Sequence, residues 1–512
     1  MLLNTVNPMR KLLILIPITC MTFLQTQCRQ QSGTTGKPAT PATTEVAQQA
    51  FDQYAVYKEP ALSNRRFKHE TIVPLIKQLR QNPLFEVNEA GQSVEDRAIY
   101  VVKAGTGKTK VMLWSQMHGD ESTATMALFD LFNFLQQSDQ LDSIRQQILQ
   151  NTTLYMVPML NPDGAARFQR RNALEIDLNR DALRLQSPEA RLLKQLRDSL
   201  NPEFGFNLHD QSRYYTVGAT SRPATISFLA PAFDYAQTVD TVRSRAMRAI
   251  VGMNEALQQL APGHVAKYSD EHEPRAFGDN IQKWGTSVIL IESGGYKNDP
   301  EKQYIRQLNF ASIVSALYMI AREDYTAYKL NDYYHIPQNE RNLYDLVLRK
   351  VHYQEDGRHT LLDVGIMRDE INAPEAPDGF YYRGSVQEIG DMSVFYGYEE
   401  INGEGLILEP GKVYEKPFAS IKALTHGRAL QLLADGYTTV RVEKLPASKQ
   451  NRSGLPLNVI GRSAKVNHTL RMSGGANFVL RDANGQVRYA IVNGSVYDLK
   501  NDNPALIHGI IL

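Results

Sequence analysis

The sequence predicts an α/β protein, a mixed β-sheet flanked by helices, with an additional β-rich region at its C-terminal end. Two observations predict it. Short apolar runs of buried-strand type at residues 153–159, 204–208 and 287–291 alternate with segments of period 3.6, the pattern of strands and covering helices in one sheet. Beyond about residue 324 the character changes to Tyr-rich irregular sequence, then to short strand-like runs broken by Gly, Asn and Asp.

The elements follow in order. Arg10 and Lys11 precede an apolar stretch reaching about Leu24, which reads as an export signal and is too short to span a bilayer comfortably. Cys20 and Cys28 are the two cysteines, so the body of the chain has no cysteine pair. Cys28 is followed by a Gly, Ser, Thr, Pro and Gln-rich stretch, the arrangement of a bacterial lipoprotein signal. Gln25 and Gln27 depart from that pattern, and a plain cleaved signal peptide is the alternative. Both readings export the chain, to the periplasm, the outer membrane or the medium. The expected organisation is a signal over 1–28, a flexible linker over 29–50, a catalytic domain over 51–325 and the β-rich region over 326–512.

At 512 residues the chain exceeds the size at which one core stops growing. Its net charge of +1 gives no electrostatic ground for nucleic-acid binding, and membrane attachment is expected only through a lipid at Cys28. Residues 98–103 and 109–116 read as a hairpin joined by the turn 104–108. Gly107-Lys108-Thr109 mimics the end of a phosphate-binding loop, but position 102 is Val where that motif needs glycine, and strand-like residues follow it. Nucleotide binding is therefore set aside. From Ser122, Met126, Phe129, Phe132 and Leu135 populate one helical face. Ser187-Pro188-Glu189 supplies an N-cap, an N1 proline and a first-turn acid for a helix to about Leu200. Further helices are expected over 239–260 and 300–321.

The chemistry concentrates where apolar strands end. His118-Gly119-Asp120-Glu121 lies between a strand and a helix, so its imidazole and carboxylate can converge on one cation across a tight bend. A third ligand is expected at His209, which ends the run 206–209. Glu292 closes the apolar run 287–291, where a glutamate is either hydrogen-bonded into the loop or used as a base. Asn161-Pro162-Asp163-Gly164 and Asp177-Leu178-Asn179-Arg180 complete the series. Arg180 beside Asn179 is chemically suited to grip a carboxylate, although a solvated basic turn is the commoner fate of such residues.

In this order the segments resemble the M14 family of zinc metallocarboxypeptidases, with its carboxypeptidase A-like fold, over about residues 60–321. Gly91-Gln92-Ser93 with Arg97 resembles the family's opening segment, and Asp181 with Ser187-Pro188-Glu189 resembles bacterial members. The resemblance implies one zinc ion held by His118, Glu121 and His209, with Glu292 as general base and proton shuttle. It implies Arg170 as the oxyanion stabiliser and Asn179 with Arg180 as binders of the substrate carboxylate. The family's substrate-covering tyrosine has its nearest counterpart in Tyr268, with Glu271 and His272 closer to the expected place. The polar stretch 269–285 hides any residue that would fix side-chain specificity, and His264, His272, His335, His352 and His359 read as structural or surface residues. The implied activity is removal of C-terminal residues from peptides. Alternatives are an amidase or deacylase acting on peptidoglycan stem peptides or acylated amino acids, and a noncatalytic binding protein on the same scaffold.

Overall fold

A strand covered on both faces must be apolar along its length, and the central strands here are. The computed structural model describes residues 40–373, 375–376, 379–446, 451–501 and 507–512. The export signal and Cys28 lie outside these residues. No helix among them is long and apolar enough to cross a membrane.

The strands of the first part are Glu86–Gln92 (β1), Ala98–Ala104 (β2), Thr109–Ser115 (β3), Thr152–Val157 (β4), Phe204–Asp210 (β5), Thr216–Val217 (β6), Ile226–Leu229 (β7), Val265–Lys267 (β8) and Ser287–Ser293 (β9). All but β6 form one eight-stranded sheet in the order β1-β2-β4-β3-β5-β9-β7-β8. The middle four run parallel; β2 and β7 join them antiparallel, β1 lies antiparallel to β2, and β8 lies parallel to β7. Side chains alternate between two cores, as a strand requires: Val111 and Leu113 face one, Met112 and Trp114 the other. Helices Thr40–Asp52, Thr123–Gln136, Thr241–Leu260 and Gln303–Ala321 supply the first core, and Pro188–Leu200 with Phe277–Lys283 the second.

Two local expectations change. β2 and β3 do not form a hairpin, because β4 lies between them, antiparallel to β2 and parallel to β3. The turn joining them is instead pinned to the start of β4, with Thr106 N donating to Leu149 O (2.9 Å) and Gly107 N to Thr152 O (3.1 Å). A Cβ on Gly107 would lie 1.9 Å from the Asn151 carbonyl carbon, so the glycine serves close backbone approach and not a phosphate. The stretch expected as linker is helical from Thr40, and Val46, Ala47 and Ala50 are buried against the long helices Thr241–Leu260 and Gln303–Ala321. Small side chains let the helices approach closely, a signal that the Thr- and Gln-rich composition hides.

The first core continues to Tyr328, Tyr333 and Ile336, and the Tyr333 hydroxyl accepts from Ala230 N (3.1 Å). The chain then pairs Asn339–Glu340 (β10) with β6 and enters a second eight-stranded sheet. Of its long strands, Arg358–Asn372 lies between Leu343–Glu355 and Phe380–Gly390 and is antiparallel to both. A three-stranded parallel sheet, Lys412–Ser420, Tyr437–Lys444 and Asn458–Gly461, shares a core with the helix His426–Ala434. Polar contacts join this region to the first sheet's loops: Arg65 and Arg66 pair with Glu370, Arg213 pairs with Asp345 (2.8 Å), and the Tyr398 hydroxyl donates to Arg213 O (2.7 Å).

Candidate active site

At the carboxyl end of β3 the chain turns sharply at Gln116, whose φ of 51° is left-handed. Its side chain holds the turn, donating to Gly119 O (2.8 Å) and accepting from Thr125 Oγ1 (3.0 Å). Gly119 is required, because a Cβ there would lie 2.0 Å from the Gly164 carbonyl carbon. Asn161 fixes the facing turn by accepting from Gly164 N (2.9 Å) and donating to Met117 O (3.2 Å) and Arg170 O (3.4 Å). These bonds set His118, Glu121 and Arg170 at one rim of the sheet. β5 and β9 deliver His209 and Glu292 to the same rim, directly opposite each other in register.

Ligand atoms of His118, Glu121 and His209 all lie within 4.8 Å of one another, and all three side chains are buried. Both imidazoles turn Nδ1 to the glutamate, His118 to Oε1 and His209 to Oε2, each at 2.7 Å. His118 Nε2 lies 3.1 Å from Asp177 Oδ1, which orients the ring so that Nδ1 would face a cation once its proton is displaced. Two imidazoles and a carboxylate at one point, with room beside them, fit a divalent metal ion. Burial pulls the His118 imidazole down, but Glu121 and Asp177 overcome it and raise it to about 9. Burial likewise opposes ionisation of Glu121, yet the two histidines hold it well below the carboxylate range. Burial and the Glu121 charge push Glu292 well above that range, and its Oε2 finds no hydrogen-bond partner among the described residues. A cation seated on Glu121 would lower Glu292 towards a form that accepts protons.

All the residues singled out from sequence line one cavity of about 640 Å³: His118, Glu121, His209, Glu292, Arg170, Asn179, Arg180 and Tyr268. Arg170, with 42% of its side chain exposed, is braced by Asp177 (3.0 Å) and reaches Glu121 (3.2 Å). Asn179 accepts from Phe277 N (2.9 Å), which ties its segment to the opposite wall. Arg180 pairs with Glu273 (3.1 Å), itself held by Arg275 (2.9 Å), so a carboxylate of the chain's own already faces this guanidinium. Burial and the nearby Glu292 raise the Tyr268 phenol.

Sequence reasoning gave no role to Asp177 and Glu273, and it read His272 as structural or surface. His272 lines this cavity and bonds Asp279 (3.0 Å), whose carboxyl burial raises to about 6. A signal for Asp177 was present, two residues before Asn179 in the same motif. For the acidic segment 270–279, only the three-dimensional closure of its loop over the cavity shows which carboxylates face inward.

The zinc carboxypeptidase family profile matches residues 72–217. Among curated relatives, a probable carboxypeptidase 2 of Trichophyton verrucosum is 24% identical over 222 residues, 43% of this chain and 37% of that protein. Carboxypeptidase SOL1 of Arabidopsis thaliana is 36% identical over 93 residues, 16% of this chain and 19% of that protein. The chain thus spans well under half the length of these relatives. A metallo-carboxypeptidase structure from Burkholderia cenocepacia aligns with a TM-score of 0.42 at 18% identity, covering 50% of this chain and 69% of the other. The profile match encloses His118, Glu121, Arg170, Asn179, Arg180 and His209, so the similarity to the zinc carboxypeptidase family spans the residues of the cavity up to β5.

Proposed function

We propose that this chain is an exported zinc metallocarboxypeptidase that removes C-terminal residues from peptides, with His118, Glu121 and His209 holding one zinc ion. The observation that carries the reading is the convergence of those three ligand-type side chains within 4.8 Å, with Glu292 facing His209 across adjacent strands. Bound there, zinc would polarise the scissile carbonyl and acidify a water. Glu292 takes the proton from the attacking water and returns it to the leaving amine. Arg170, braced by Asp177, donates to the carbonyl oxygen as it gains charge. Asn179 and Arg180 orient the terminal carboxylate, which displaces Glu273 from the guanidinium.

The test is metal analysis and peptide turnover by the parent and the Glu292→Gln variant. Expected are one zinc per chain in both proteins, and a loss of kcat of about a hundredfold or more in the variant. Undiminished turnover by the variant removes Glu292 as the base. Equal turnover of C-terminally free and amidated peptides removes exopeptidase action.

A further inference from the structure

Two further cavities adjoin the candidate active site. The nearer, of about 520 Å³, is walled by Asp120, Asp210 and Ser212 on one side and by Glu370, Ile371 and Asn372 of the second sheet on the other. The farther, of about 640 Å³, lies between the loop 294–302 and Tyr382 and Tyr398 of the β-rich region. Neighbouring cavities share walls. Glu121, Asp210, Gln211 and Ser212 line both the active-site cavity and the nearer one, and Arg65, Gln211, Lys302 and Glu370 line both the nearer and the farther. Gln211 borders all three, and it is fixed in place by bonds to Ala224 O (2.8 Å), Ser227 Oγ (2.9 Å) and Asn339 Nδ2 (2.7 Å).

Polar groups dominate the walls of the nearer cavity. Asp120 Oδ1 and Asp210 Oδ1 at the nearer cavity, and Asp345 Oδ1 at the farther, have no hydrogen-bond partner among the described residues. Asp345 is only 1% exposed and is paired through its other oxygen with Arg213 (2.8 Å). Arg65, Gln211, Ser212 and Asn372 line the lumen beside these carboxylates, so an extended main chain, with an N–H and a C=O at every residue, is an occupant that suits these walls. The tyrosine rings at the farther cavity add flat apolar contact area.

Resting on the carboxypeptidase reading, we propose that the three cavities are one substrate cleft, whose outer half is built by the C-terminal β-rich region. The cleft accepts several residues on the amino side of the scissile bond. Its direction follows from the carboxylate-binding pair: Asn179 and Arg180 line only the active-site cavity, so a chain anchored there by its C-terminus must leave past Glu121 and Gln211 into the other two. The chain is thereby suited to extended peptides and not to dipeptides.

The test compares an N-blocked dipeptide with an N-blocked hexapeptide ending in the same two residues, both offered to the zinc-loaded full chain. The hexapeptide is expected to have a kcat/KM about tenfold higher or more. Tyr382→Ala, and separately the exposed Lys297→Ala, are expected to cut that advantage at least about threefold while leaving dipeptide turnover unchanged, which also controls for folding. Binding of the two peptides to the Glu292→Gln chain is read in parallel by fluorescence anisotropy. Equal kcat/KM for both peptides, or equal losses on both in the variants, overturns the cleft and leaves the carboxypeptidase reading standing. Tighter binding of the hexapeptide without hydrolysis by the parent upholds the cleft and overturns the activity. Absence of both binding and hydrolysis overturns both.

Discussion

At Glu121 two imidazoles meet a single carboxylate, and the residue behind His118 sets how that arrangement could hold a metal ion. Asp177 accepts from His118 Nε2 and from Arg170 Nε, so one carboxylate orients both side chains. The His118 ring is thereby held with Nδ1 facing inward, and in the absence of a cation its charge is favoured. Metal binding must release that proton, so affinity rises with pH. Asp177→Asn removes the charge but keeps the shape. It is expected to weaken metal binding by about 10–100-fold, measured by competition with a chelator, and to lower activity at limiting zinc. Unchanged affinity would show that His118 needs no such support.

At the scale of elements, the segment after β8 decides how the site meets substrate. It folds over the cavity, held by His272 on Asp279 and by Glu273 on Arg180 and Arg275. The Arg180–Glu273 pair is about one-third exposed on both sides, so its worth is at most about 1 kcal/mol and a substrate carboxylate can displace it. Glu273→Gln is expected to lower KM by up to about fivefold with kcat unchanged, since it removes a competitor for Arg180 and not a reacting group. A raised KM in steady-state kinetics would make Glu273 part of the substrate site instead.

Across the whole molecule, the two sheets are not independent. Tyr328, Tyr333 and Ile336 belong to the first core although they follow its last long helix, and Tyr333 is fully buried. A fragment of residues 40–325 leaves that pocket empty, and losing one such aromatic costs roughly 3–5 kcal/mol. It is expected to unfold at distinctly lower denaturant than a fragment of residues 40–338, and equal midpoints would show the Tyr-rich segment to be dispensable. Both fragments also leave Arg65 and Arg213 without their partners Glu370 and Asp345.

Much of the candidate site was legible in the sequence, because His209 and Glu292 lie at the ends of apolar strands and His118 just beyond one, with Glu121 three residues on, and such stops are visible as polar residues after a buried run. The helices with clear caps or apolar faces were legible for the same local reason, as at Ser187, whose hydroxyl accepts from Ala190 N. What depends on non-local pairing was not legible: the insertion of β4 between β2 and β3, the packing of the helix that begins at Thr40, and the pairing of Arg180 with Glu273. The sequence by itself determined which side chains could do chemistry and the α/β class of the scaffold. Only the tertiary structure decided that His209 faces Glu292 across neighbouring strands and that the C-terminal sheet walls cavities adjoining the site, since strand order and loop closure are set by contacts between segments far apart in the chain.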